Sequence, residues 1–206
     1  PRADGPVPPL PAVVKLAAPL ELNIEHPASQ SHILMGQPGM KRSDPDYFPL
    51  FVGNYILGGG GFASRLVDEV RQKRGLAYSS YSYFSPLAEA GAFQVGLQTK
   101  KAQSAVALEV VRETVRRFVT DGPTATELDA AKQNLVGGFP LRIDSNRKIH
   151  DYLAVIGFYD LPLDYLDQFV GHVEAVTVDQ IRDAFSRRID LDRMVTVVVG
   201  GAPAAK

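Results

Sequence analysis

The sequence predicts an α+β fold, a mainly antiparallel sheet covered by helices. Three observations predict it. Short runs alternate apolar and polar residues, as at 20–25 and 91–99. Longer stretches, such as 102–120, place apolar residues on one helical stripe. The strand-like runs also come in hairpin-like pairs, grouped apart from a block of consecutive helices.

The first 19 residues carry six prolines (1, 6, 8, 9, 11 and 19) and few large side chains, which reads as an extended interdomain linker. Leu20, Leu22 and Ile24 alternate with Glu21, Asn23 and Glu25, the pattern of a half-buried strand. Residues 31–36 form a second strand, ended by Gly36 and the Pro38-Gly39 turn. Asp44 or Asp46 caps a first helix carrying Phe51, Tyr55 and Ile56, and the glycines at 58–61 stop it. A second helix covers about 63–73, with Leu66, Val67 and Val70 on one face, and Gly75 closes it. Two strands follow at 77–85 and 91–99.

The helix at 102–120 puts Leu108, Val111, Val115, Phe118 and Val119 on one stripe, and Asp121-Gly122-Pro123 breaks it. Thr124 with Glu127, and Thr177 with Gln180, have capping-box spacing, so each opens a helix. Gly137, Gly138 and Pro140 weaken the first of these near its end. Further helices are expected at 145–159 and about 162–173, and a last strand at 194–199. The domain proper is expected over 20–201, with 202–206 as a tail. The proline at position 1, in place of methionine, reads as the start of a fragment of a longer protein.

Composition removes several classes of function. There is no cysteine, so thiol chemistry, cysteine-based zinc sites and disulfides are absent. The net charge is −1 and the 22 basic residues are scattered, which argues against nucleic acid. No apolar run approaches the ~20 residues that span a bilayer. The histidines are His26, His32, His150 and His172; no two are four apart, so no helical zinc-hydrolase pair exists. His172-Val-Glu174 matches H-x-E, but the deaminase chemistry it belongs to also needs cysteines.

Two motifs remain. Gly58, Gly60 and Ala63 match the spacing of a dinucleotide loop, but a helix precedes them where a strand is needed. Gly58, Gly59, Gly60, Gly61 and Phe62 read either as a tight helix–loop–helix junction or as a loop that a peptide backbone approaches closely. Arg71 and Tyr78 lie seven apart, at a helix end and a strand start. By themselves they read as a dipole-favoured terminal charge and an ordinary strand aromatic. At a common rim they would offer a guanidinium fork and a phenolic donor for a developing oxyanion.

The run from Leu57 through Gly58–Gly61, Phe62 and Ser64-Arg65-Leu66, followed by Glu69-Val-Arg71-Gln-Lys-Arg-Gly-Leu-Ala-Tyr78, resembles the second-domain motif of the M16 (pitrilysin/insulinase) zinc metallopeptidases. The strand at 30–36, the Asp121-Gly-Pro-Thr124 turn with Glu127-Leu128, the 176–180 segment and the closing 197–201 strand match more weakly. The resemblance extends over about 20–201. It implies a half of the LuxS/MPP-like metallohydrolase type, of the C-terminal, zinc-free kind found in bacterial two-chain members. In that family two related halves close around a peptide. One half holds zinc through H-x-x-E-H; the other contributes an Arg and a Tyr, which match Arg71 and Tyr78. The resemblance therefore implies no cofactor in this chain, zinc in a partner domain or subunit, and a peptide substrate clamped between them. The long glycine-rich loop of the mitochondrial processing peptidase has no counterpart, so presequence processing is not implied. Two alternatives stand beside this: a structural relative, as in respiratory core subunits, and a peptide-binding module that uses a sheet edge. The compartment is not readable from the sequence, although frequent export of bacterial relatives favours the periplasm over the cytoplasm.

Overall fold

The computed structural model describes residues 8–200. The expected linker therefore lies partly, and the 202–206 tail wholly, outside the described residues. Residues 8–19 have no helix or strand. One sheet follows, of β1 (Leu20–Ile24), β2 (Gln30–Pro38), β3 (Ala77–Phe84), β4 (Ala92–Lys100) and β5 (Val195–Val199), in the order β1-β5-β2-β4-β3. β2 pairs antiparallel with both β4 and β5, and β3 antiparallel with β4; β1 joins β5 in parallel. The sheet is mainly antiparallel, as the sequence predicts.

Seven helices accompany it among the described residues: α1 (Tyr47–Asn54), α2 (Arg65–Val67), α3 (Ser104–Asp121), α4 (Ala125–Gly137), α5 (Asn146–Phe158), α6 (Tyr165–Ala175) and α7 (Val178–Arg188). Both expected capping boxes form: the Thr124 and Thr177 hydroxyls accept from the amides of Glu127 and Gln180, whose side chains reach back to the cap amides. The predicted α3 stripe is buried at Leu108, Val111, Val115 and Phe118. It meets the sheet through alternate residues, among them Ile33, Met35, Phe93, Val95, Leu97 and Val198, and Phe118 packs edge-on against Phe185 of α7. Helices thus cover one face of the sheet.

Two expectations change. All five residues of β1 are exposed, so it is not half-buried. Its register with β5 aligns Leu20, Leu22 and Ile24 with Val195, Val197 and Val199, opposite to the buried Thr196 and Val198. Its apolar side therefore lies on the open face. Its polar side turns to the helices, where Glu21 meets Arg112 of α3 at 2.9 Å. Second, the glycines stop the first helix at Gly60, as expected, but its last turn is not α-helical. The helix continues as a π turn over Tyr55–Gly59, and the Gly60 amide bonds the Tyr55 carbonyl at 2.7 Å. The segment at 63–73 is likewise a short 3₁₀ turn (Gly61–Ala63), then α2, then a second π turn (Asp68–Gln72). A local propensity scale cannot foresee such turns, which arise where the chain fits an extra residue into a packed helix.

Candidate functional site

The two π turns flank the glycine loop and deliver it to the start of β3. Gly58 is buried, and a Cβ there would lie 2.4 Å from both the amide nitrogen and the hydroxyl of Ser82 on β3. That close approach seats the loop on the strand. Asn54 secures it, donating to the Ser82 carbonyl (3.1 Å) and accepting from its hydroxyl (2.7 Å). Gly59 is exposed and Gly60 half-buried, both against the preceding turn. Gly61 has φ +61 with open space around it, a left-handed turn that releases Phe62 outward. Phe62 is 68% exposed. The loop thus does two things: Gly58 packs inward, and Gly61 and Phe62 face out.

Arg71 lies in the second π turn. The amide of Gly75, at φ +60, bonds the Arg71 carbonyl at 2.9 Å, a left-handed helix stop that turns the chain directly into β3. This brings three of the predicted residues together. The Arg71 guanidinium lies 4.6 Å from the Phe62 ring centre and 4.7 Å from that of Tyr78. The Gln72 side chain donates to the Phe62 carbonyl at 3.2 Å, tying the loop to the turn. Each ring holds the cation by about 0.5–1 kcal/mol at such an exposed site. The nearby carboxylate, Glu69, is taken by Lys73 (2.8 Å) and Arg74 (2.5 Å). The Lys73 hydrogen bond, opposed by partial burial and aided by Arg74, holds the Glu69 carboxyl below its usual range. Among the described residues Arg71 has no carboxylate partner and the Tyr78 hydroxyl no hydrogen bond, and Tyr78 is 81% exposed. The result is a cation clamped between two rings, with free donors at the rim.

Beneath this site Arg65 on α2 makes a two-pronged bond to Glu127 (2.6 and 2.7 Å) and lies over the Phe118 ring. Burial raises the Glu127 carboxyl. Arg65, with the Thr124 amide and hydroxyl, overcomes that and brings it down to about 2. The pair fastens α2 to α4.

Among the described residues no three His, Cys, Asp or Glu side chains gather at one point. All four histidines are exposed; His172 lies against the Phe48 ring at 4.6 Å, and His32 bonds Gln98 at 3.2 Å. Among the described residues no helix is long and apolar enough to cross a membrane.

Sequence reasoning missed a second cluster. Arg42, Tyr47, Arg142 and Tyr165 meet at the far end of β3. Its one sequence signal was an arginine beside two aspartates at 44 and 46, which invites a local ion pair that does not form.

The model of the peptidase M16 inactive domain matches residues 2–135. The "uncharacterized zinc protease SCO5738" of Streptomyces coelicolor is 32% identical over 182 residues, 86% of this chain and 39% of the relative. The "non-peptidase homolog YmxG" of Helicobacter pylori is 31% identical over 174 residues, 82% of this chain and 39% of the relative. The crystal structure of the peptidase M16 inactive domain from Pseudomonas fluorescens superposes with TM-score 0.90 and 39% identity, covering 98% of this chain and 48% of that one. The chain thus spans about two-fifths of the length of these curated relatives and about half of that crystallised chain. On the family model and the shared fold together, this chain belongs to the peptidase M16 inactive-domain family.

Proposed function

We propose that this domain is the zinc-free, substrate-clamping half of an M16 metalloendopeptidase. In this reading zinc and its water belong to a partner domain or subunit bearing H-x-x-E-H, and no step of that chemistry is carried by this chain. What this chain supplies is a pair of donors. The Tyr78 hydroxyl donates to the scissile carbonyl oxygen as negative charge develops there. Arg71, fixed between Phe62 and Tyr78, holds or orients the same group through its fork of N–H donors. The observation that supports the reading most is the Phe62–Arg71–Tyr78 stack, in which a cation is held at a rim without a carboxylate to quench it. Gly61 and Phe62 form the adjoining lip against which a peptide backbone rests.

The test is peptidase activity of this chain mixed with its zinc-bearing counterpart on unstructured peptides. Activity is expected only in the mixture. Tyr78→Phe should leave folding intact and lower kcat by about 10²–10³-fold, the loss seen for one oxyanion donor. Activity indifferent to both Tyr78→Phe and Arg71→Met would favour the structural reading, in line with the name non-peptidase homolog that the Helicobacter relative carries.

A further inference from the structure

Arg42 is an arginine whose neighbours in sequence do not neutralise it. Asp44 and Asp46 turn instead to α7, where Arg188 meets both (2.7 and 2.8 Å) and Arg187 meets Asp46 at 2.9 Å. Arg42 donates to the hydroxyls of Tyr47 and Tyr165, the latter at 2.9 Å, and lies over both rings at 4.4 and 5.3 Å. Its Nε is buried and has no hydrogen-bond partner among the described residues. A buried donor left unmade is costly in free energy and calls for an acceptor. Burial, with the adjacent Tyr47 hydroxyl, pushes the Tyr165 phenol well above its usual range, so it stays a donor. Two hydroxyl protons serve this pair, and a bond between the phenols uses one at most. At least one proton is therefore left for a ligand.

Two adjoining clefts, of about 540 and 340 Å³, share Arg42, Tyr47, Phe51, Pro86 and Arg142. Among the described residues no carboxylate lines either. Arg142, on the short Pro140–Arg142 turn, is exposed and has no ion pair among the described residues. Two arginines and phenolic donors set in apolar walls match an anion carried on an apolar stem better than a free inorganic anion. We propose that this cleft is a carboxylate-recognition subsite, which takes an Asp or Glu side chain or a free C-terminus of a peptide. The inference rests on the peptide-clamping reading. Tyr78 is the second residue of β3 and Phe84, at the cleft, closes the strand six residues later. An extended peptide bridging both sites therefore places its carboxylate about six residues, or ~20 Å, from the bond held at Tyr78.

Binding to this chain is measured by fluorescence anisotropy with labelled ten-residue peptides of three kinds: one Glu with an amidated C-terminus, the Gln counterpart, and a neutral peptide with a free C-terminus. The Glu peptide, the free-C-terminus peptide or both should bind at least tenfold more tightly than the amidated Gln peptide, which also identifies the source of the carboxylate. Arg142→Gln, at an exposed position, should remove that preference. Arg42→Lys, which keeps the charge and loses the fork, should reduce it. Equal binding of all three peptides, no binding up to millimolar concentration, or a preference that survives both substitutions overturns the proposal. The two readings fail separately. A carboxylate preference with turnover indifferent to Tyr78 sinks the clamp reading alone; turnover that depends on Tyr78 without a carboxylate preference sinks the subsite alone.

Discussion

Gly58→Ala tests whether the glycine loop is held by packing on β3. The added methyl group would sit 2.4 Å from the Ser82 amide nitrogen and hydroxyl and 2.8 Å from Leu66 Cδ1. The amide nitrogen belongs to the backbone of a strand residue paired with β4, so it yields only if β3 shifts. Overpacking of this kind costs about 1–3 kcal/mol. A shift of Ser82 also disturbs its two hydrogen bonds to Asn54, each worth about 1 kcal/mol. The expected loss is about 2–5 kcal/mol, set against a total of roughly 5–15 kcal/mol for a domain. With a urea slope of about 2 kcal/mol per molar, the midpoint should fall by about 1–2.5 M. Gly61→Ala is the control. Nothing lies within 4 Å of its Cβ position, so only the left-handed backbone at φ +61 is penalised, by about 1–2 kcal/mol. Urea unfolding followed by circular dichroism gives both numbers. A Gly58→Ala protein within about 0.5 kcal/mol of the parent, or one no worse than Gly61→Ala, would refute the packing argument.

Other outcomes follow from the same structure. Glu127 has a folded pKa of about 2 against 4.5 for the free group, so its stabilising contribution is complete above pH 4.5 and is lost as pH falls from there towards 2. Glu127→Gln should therefore be less stable at pH 7, with a shallower loss below pH 4.5; parallel urea midpoints for the two proteins across that window would contradict this. Thr177→Ala removes the cap of α7 and should cost about 1 kcal/mol without altering the unfolding slope, which the same titration reads. Phe62→Ala removes one of the two rings around Arg71. It should leave stability within about 1 kcal/mol, because the ring is mostly exposed, yet raise KM in the reconstituted enzyme; an unchanged KM would take Phe62 out of the clamp.

Periodic and local features were legible in the sequence. Alternation located β4; apolar runs bounded by turn residues located β2 and β5; the 3.6-residue stripe located α3; and two capping boxes located the starts of α4 and α7. These are legible because each rests on interactions among residues a few positions apart. The Arg71–Tyr78 spacing was visible too, and only the resemblance gave it meaning. Tertiary structure decided the rest. Periodicity gave β1 an apolar side, but what covers that side depends on helices placed far away in sequence, and among the described residues none covers it. The glycine run looked like a helix stop and is one, at Gly60; what only the fold decided is the π turn that leads into it, where Gly58 packs on Ser82, 24 residues on. Arg42 stands two and four residues from aspartates that α7 draws away, and it meets Tyr165 from α6, 123 residues distant. A charge reads locally as paired or free only when its competitors are local, and here they are brought by the fold.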